Sequence, residues 1–377
     1  MAELKPIPLA IPDLRGNEAK YLGQCVRDNW VSSAGEFVVE MEKRMAALTT
    51  RRHAVATVNG TTAIELALRA LGIGAGDLVA VPDWTFAATP NAVIHAGAEP
   101  LFIDIAADSW TMDPALLETA LGKHGKRLKA VVPVHALGHP ANMDAILYVC
   151  EASGVPVIED AAGAIGAGYK GRPVGSLGHA AIFSFNGNKT VTAGGGGMIV
   201  TNDDALADRA AHLSAQARPG RDYVHDAIGF NYRMTNLNAA VGLAQLERLD
   251  EMLAAKRRIA ARYDQALSER NDLRPMPRAS WAESGCWIYS VLTASKLAAD
   301  ELVAALDACN IEARVFWQSL SVQAPYASFP RVIDGVSARL SGSVVSLPSS
   351  SHLTDAEQNR VMDVLCTWRG ASLEITA

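Results

Sequence analysis

AAIFSFNGNKTVTAGGGGMIVTND, residues 180–203, carries an apolar run, a single lysine at 189, four consecutive glycines at 194–197 and a second apolar run. AAIFSF and GGMIVTND read as strands, since each is short, apolar and bounded by turn residues. A lysine between two such strands needs a reason, and so does that much glycine. The ending GNKT resembles a phosphate-binding P-loop, but the spacing refutes it: GxxxxGK[ST] requires glycine directly before the lysine, whereas Asn188 intervenes and Ile182 stands five residues ahead of Gly187. An imine with an aldehyde cofactor fits better. A lysine has an unperturbed pKa of about 10.4, so its surroundings must deprotonate it before it attacks a carbonyl. Most lysines are solvated surface charges. That reading is strained for Lys189, which follows an apolar strand and precedes glycines that permit close backbone approach.

Outward from this stretch, strand-like and helix-like segments alternate. HAVATVNG reads as strand and turn, and TAIELALRALG as a helix with Ile64, Ala67, Leu68 and Leu71 on one face. DLVAVPD, EPLFIDI, KAVVPVHALG and VPVIED read as strands, with helices at AATPNAVIHAG, after Asp113-Pro114, and at MDAILYVCEASG. Strands separated by helices of ten or more residues imply crossover units and a largely parallel sheet. Beyond Asn236 the pattern changes to one long helical segment, NLNAAVGLAQLERLDEMLAAKRRIAARYDQAL, then mixed strands and helices. The last helix opens at Thr354 with Glu357 as a capping box and Leu353 as its staple. The expected plan is an N-terminal segment plus large α/β domain over 1–245 and a small C-terminal α+β domain over 246–377. No repeat of 20–50 residues stands out.

Composition narrows the function. The chain has 377 residues, 49% hydrophobic and 20% charged, with a formal charge of −6. Nothing there favours nucleic acid or an anionic membrane as partner, and an anion must be held by a local site. The five cysteines are odd in number and lack a CxxC pair, as expected of reduced thiols in a cytoplasmic protein. No segment approaches a membrane span or a signal-peptide core.

Three further clusters follow strands, at the edge where open α/β sheets bind ligands. Asn59-Gly60-Thr61-Thr62 opens a helix and suits an anion, although a plain threonine N-cap is the blander reading. Asp160 ends VPVIED. Buried there it needs a cationic or hydrogen-bonding partner, or else it caps the residues that follow. Asn231 and Arg233, in GFNYRM, can bind an anion or tie a loop to its own domain. His135 and His139 have metal-like spacing, but VPVHALGHP is a strand entering a turn, with no glutamate where a zinc protease needs it, so packing or a substrate edge is the better reading and no metal is expected.

Taken in order, IPLAIPDLRGNE, DNWVSSAGEFV, VNGTTAIELAL, DWTFAAT, GAEPLFIDI, VIEDAA, FSFNGNKTVTAGGGGMIVTND, GFNYRMTNLNAA, EARVFWQSL and SLPSSSHLTDAE resemble the DegT/DnrJ-type pyridoxal-phosphate-dependent sugar aminotransferases over nearly the whole chain. The resemblance implies a fold-type I transferase, whose large domain holds a mostly parallel seven-stranded sheet flanked by helices. It makes Lys189 the lysine that forms the imine and shuttles the proton, and Asp160 the partner of the cofactor's pyridine nitrogen. It puts Gly60, Thr61, Thr62 and Ser184 around the phosphate and Phe86 against the ring. Asn231 reaches the phosphate from a neighbouring subunit, which implies a homodimer with shared sites.

Where relatives often carry Gln, His or Glu near the ring hydroxyl, this chain has Gly163. The implied reaction takes the amine of L-glutamate through pyridoxamine phosphate to C4 of a nucleotide-linked 4-keto-6-deoxy sugar. FNGNKTVTAGGGGM and YVHDAIGFNYRM look most like the branch acting on UDP-2-acetamido-2,6-dideoxy-4-ketohexoses, while GDP-perosamine synthases and enzymes of dTDP-ketosugars are the alternatives. Candidates for sugar contact are Trp30, Ser32, Ser33, His225, Arg233 and Trp317. A cofactor-binding regulator without catalysis is the reading of another class, and an intact Lys189 and Asp160 count against it. The four glycines are expected to turn the chain back into MIVTND beneath the cofactor without crowding the sugar.

Overall fold

The computed structural model describes residues 5–220 and 222–373. Seven strands build the large sheet: β1 (His53–Thr57), β2 (Leu78–Pro82), β3 (Glu99–Ile103), β4 (Leu128–Val131), β5 (Ile158–Asp160), β6 (Ala180–Ser184) and β7 (Gly197–Thr201). Their order is β1-β7-β6-β5-β4-β2-β3, with β4 and β5 joined by the parallel bridges Val131↔Val157 and Val134↔Asp160. Only β7 runs antiparallel to its neighbours. The sheet is thus mostly parallel, with seven strands from the large domain as the resemblance implied, and a short eighth strand from the C-terminal part pairs at its β3 edge.

Both faces of this sheet are covered, and that is why its strands are continuous apolar runs. Along β2, Val79 and Val81 join a core under α3 (Gly60–Ala70), α4 (Ala88–His95) and α7 (Asp204–Ser214). The alternate residues Leu78 and Ala80 join another under α5 (Pro114–His124) and α6 (Met143–Glu151). On β6, Ala180 and Ile182 face the first core, while Ala181 and Phe183 pack with α2 (Glu36–Leu48) and α8 (Asn236–Leu246). Asp113 caps α5 with Pro114 in its first turn, as its sequence predicts.

The helical stretch expected from Asn236 to Leu267 is two helices, α8 and α9 (Leu249–Leu267). The break at Glu247-Arg248 contains neither proline nor glycine; its neighbourhood is held from outside. Gln245 Nε2 donates to the carbonyl of Asp13, and Arg248 bridges the carboxylates of Asp13 and Glu251. Asp13 lies over 230 residues away in sequence from both and leaves no local signal.

The C-terminal unit is a four-stranded antiparallel sheet of β8 (Arg274–Pro275), β9 (Tyr289–Leu292), β10 (Arg314–Val315) and β12 (Val344–Leu347), in the order β8-β9-β12-β10. It packs with α9, α10 (Lys296–Asp307) and α12 (Asp355–Thr367), whose capping box of Thr354 and Glu357 forms as expected. Two segments cross the expected boundary at 245/246. Ile7, assigned with the large domain from sequence, is buried in the C-terminal core and bridges to Ile311, its N–H donating to the carbonyl of Asn310 and its carbonyl accepting from the N–H of Glu312. In the other direction β11 (Arg331–Val332) pairs in parallel with β3 of the large sheet.

Two strand ends of the large sheet are given to this junction. Asp104, after β3, accepts backbone N–H bonds from Asp334, Gly335, Val336 and Ser337 and so caps α11 (Val336–Leu340). Asp83, after β2, accepts from Ser319, from the N–H of Ser321 and from Ser337. The remaining strand ends form the candidate site.

Candidate active site

At the end of β1, Asn59 caps α3: its Oδ1 accepts the N–H of Thr62 at 2.8 Å, while Thr62 Oγ1 donates to the carbonyl of Asn59 at 2.9 Å. The cap is thus an asparagine, and Thr61 and Thr62 form the first turn of α3. Ser184, at the end of β6, stands directly against this turn. A Cβ added to Gly60 would lie 2.8 Å from Ser184 Cβ, so only glycine fits. The helix start, with the dipole of α3 behind it and hydroxyls from Thr61, Thr62 and Ser184 around it, suits an anion.

Asp160 ends β5 and is buried. Thr89 Oγ1, in the first turn of α4, donates to its Oδ2 at 2.7 Å, and the N–H of Ala162 donates to Oδ1 at 3.1 Å. It therefore caps a turn and not a helix. Burial pushes its pKa up, opposed by Thr89, by Ala162 and by the charge of Lys189. Phe86 sits three residues before Thr89, on the loop that leads into α4, and is 64% exposed. Its ring is therefore free to cover a ligand.

The neighbouring residue faces the other way. Glu159 accepts from His135 Nε2 at 3.1 Å and from the N–H groups of Gly175, Leu177 and Gly178. His135 Nδ1 accepts the N–H of Ala141, and His139 Nε2 that of Ala279, so both histidines serve packing. Among the described residues no group of three or more His, Cys, Asp and Glu is arranged to hold a metal.

Lys189 lies on the loop between β6 and β7 and is partly covered. Burial pushes its ammonium down to about 7, against the pull of Asp160. Its Nζ lies 3.4 Å from the ring centroid of Trp287. The indole Nε1–H donates to the carbonyl of Asn188 at 2.7 Å. Of the four glycines, Gly194 turns the chain at φ +72° and Gly197 backs onto Asn59, whose carbonyl oxygen would stand 2.4 Å from an added Cβ. Gly195 has room for a side chain.

The other predicted contacts are exposed or half-buried. Trp30 and Ser32 are exposed, with Ser33 beside them, and are tied through their carbonyls to Asn236 at the start of α8. His225 is exposed and bonds the carbonyl of Gln216 through Nδ1; Asn231 is exposed and bridges to Ala215. Arg233 bridges through its backbone to Thr57 at the end of β1. Trp317 stacks on Phe316, packs edge-on against Trp84 at 5.0 Å, and accepts the Trp84 indole N–H at its carbonyl. The structure packs Gly60 against Ser184 and brings Lys189 within electrostatic reach of Asp160, and it adds Thr89 and Trp287, which the sequence reading passed over. Thr89 had a signal in its place one turn beyond Phe86; Trp287 is 98 residues from Lys189 and had none.

A buried carboxylate, a partly covered amine near neutrality and an anion-binding helix start at one sheet edge can hold a phosphorylated, cationic ring and bond covalently to its carbonyl. Comparisons with known proteins point the same way. The model of the DegT/DnrJ/EryC1/StrS aminotransferase family matches residues 12–366. A GDP-perosamine synthase of Caulobacter vibrioides is 42% identical over 369 residues, covering 97% of this chain and 99% of the relative. The structure of DesI in the presence of its TDP-sugar product superposes with a TM-score of 0.88 at 32% identity, covering 97% of this chain and 93% of that one. The PLP form of Spr1654 from Streptococcus pneumoniae gives 0.89 at 25% identity, covering 96% and 98%.

Proposed function

The chain belongs to the DegT/DnrJ/EryC1/StrS aminotransferase family, and from that premise we propose that it moves the amino group of L-glutamate to the C4 carbonyl of a nucleotide-linked 4-keto-6-deoxy sugar. Transaminase activity and dependence on pyridoxal phosphate come with the family. The residue roles and the substrate are our reading.

The residues fit that cofactor. A cradle closed by Gly60 and Ser184 admits a phosphate at the start of α3, and Asp160 has only neutral donors directly on its oxygens, leaving it open to a cationic partner. Pyridoxal phosphate, when bound, supplies an aldehyde that carries the amino group and a ring that takes up the electron pair left on the substrate carbon. Asp160, oriented by Thr89, holds a proton on the ring nitrogen. Thr61, Thr62 and Ser184 hold the phosphate, with Asn231 added from a second subunit, and Phe86 covers the ring. Lys189 would hold the cofactor through its Nζ and, once released, would take the proton from the donor's α-carbon and deliver one to C4 of the sugar. The observation that carries this reading is the buried carboxylate of Asp160 near a partly covered Lys189, whose ammonium is pushed down to about 7 and so suits a base and acid near neutral pH.

For the nucleotide, we place a GDP-linked sugar first, because several relatives 39–42% identical are named GDP-perosamine synthase. The wording of FNGNKTVTAGGGGM and YVHDAIGFNYRM supports a UDP-linked 2-acetamido sugar as the second reading. Trp30, Ser32, Ser33, His225, Arg233 and Trp317 are the proposed sugar contacts. Incubating the protein with pyridoxal phosphate, glutamate and GDP-, UDP- or dTDP-linked 4-ketosugars decides among these. Release of 2-oxoglutarate equal to amino sugar formed is expected with one nucleotide, and release with none removes the proposal.

A further inference from the structure

We propose that Trp287 is the positioning residue of Lys189: its indole face holds the ε-amine whenever that amine is free, and its ring fills the space that the glycine at 163 leaves open. The proposal rests on reading Lys189 as the reacting amine.

Three contacts fix the indole. Its Nε1–H donates to Asn188, the residue next to Lys189, at 2.7 Å. Its backbone carbonyl accepts from Lys256 Nζ at 3.0 Å, a buried ammonium that also donates to the carbonyl of Ser349 at 2.7 Å. Its benzo edge lies where a side chain on residue 163 would be: a Cβ there would sit 2.6 Å from Trp287 Cε3. Gly163 and Trp287 therefore exclude one another as large residues, and the absence of a long polar side chain at 163 follows from the tryptophan. No group from residue 163 can then reach the cofactor's ring hydroxyl.

The remaining contact is with Lys189, whose Nζ lies 3.4 Å from the ring centroid. A cation on an indole face is attracted by the ring quadrupole, and the attraction strengthens as water is excluded. The charged groups around the amine are few. Asp160 acts on it from β5, with His135 beyond Asp160, while Lys256 and Cys286 lie on the backbone side of Trp287. An amine drawn only toward Asp160 would be pulled to the ring-nitrogen end of the site. The indole offers a second resting place, at a neutral surface. Trp287 acts through Lys189 and takes no proton itself.

The test measures the free amine in the full-length, cofactor-free protein. Trace acetylation at a series of pH values from about 5 to about 9, read at Lys189 by peptide mass spectrometry, gives the midpoint of its deprotonation. Trp287→Leu keeps the site apolar but removes the π face, and its midpoint should fall by about 0.5 to 1 pH unit. Trp287→Phe keeps a face and loses the bond to Asn188, and its midpoint should stay nearer the parent's. Gly163→Ala should displace the indole and lower the midpoint with Trp287 still present, which keeps the test open if the leucine variant does not fold. Unchanged midpoints in the folded leucine and alanine variants would overturn the proposal, and so would a phenylalanine variant that shifts as far as leucine. Because cofactor is absent, the outcome is independent of which lysine the cofactor bonds.

Discussion

Thr89 Oγ1 donates a 2.7 Å hydrogen bond to Asp160 Oδ2, and both side chains are buried at the edge of the large sheet. A hydrogen bond to a charged group contributes about 1.5–3 kcal/mol. Thr89→Val keeps the shape and loses the donor, so the ionised form of Asp160 is destabilised and its pKa rises further. Affinity for pyridoxal phosphate, followed by absorbance titration, should weaken by about tenfold or more. Unaltered affinity would mean that Thr89 does not support the carboxylate's role.

Lys189 carries the opposite strain. Its pKa falls from 10.5 to about 7 on folding. Between those values the unfolded chain binds a proton that the folded chain does not, so the group's effect on stability improves as pH rises across that window. Below about 7 both states are charged and the burial penalty is complete. Lys189→Met should therefore make the cofactor-free protein more stable than the parent at pH 7, by about 2–4 kcal/mol, with the gain shrinking toward pH 10. Urea unfolding at the two pH values checks this, and a variant less stable at pH 7 would contradict it.

Asp104 shows what the strand ends outside the candidate site do. Burial raises its pKa, but the N–H groups of Ile105, Ser337 and Gly335 outweigh that and hold it below the usual value of 3.8. Its contribution is present above 3.8 and is lost as the pH falls through its folded pKa. Asp104→Ala leaves the start of α11 without its acceptor and should cost about 3 kcal/mol in urea unfolding at pH 7. The deficit should narrow in acid.

Much of this was legible in sequence because it is local. Strands buried on both faces announce themselves as apolar runs, and Asp160, Ser184 and Lys189 each lie at or just past the end of one. The capping pairs Asp113-Pro114 and Thr354/Glu357 span only a few residues. What escaped depends on partners far along the chain. The break between α8 and α9 is flanked by residues bonded to Asp13, Ile7 docks in the C-terminal core, and Lys189 is covered by Trp287. The glycine at 163 was visible as a departure, but its cause lies 124 residues away, in an indole that no pattern around residue 163 encodes.

Around Asn231 the chain exposes Tyr223, Val224 and Ile228, the last at 90%. Such residues are costly to leave in water and suit an interface. The protein should sediment at twice the 40.0 kDa of one chain at micromolar concentration. Asn231→Ala should leave that mass unchanged while weakening cofactor affinity several-fold. A monomer that retained full activity would contradict the shared site.

Two lysines compete for the cofactor on physical grounds: Lys189, and Lys256, which is buried and pushed down to about 8. Lys256 is engaged by two carbonyls, whereas Lys189, among the described residues, meets the face of Trp287 and the charge of Asp160. Reducing the cofactor-loaded protein with borohydride and mapping the labelled peptide decides between them. The account predicts a single pyridoxyl adduct on Lys189, lost in Lys189→Ala. An adduct on Lys256, or on any other lysine of the parent protein, would contradict it.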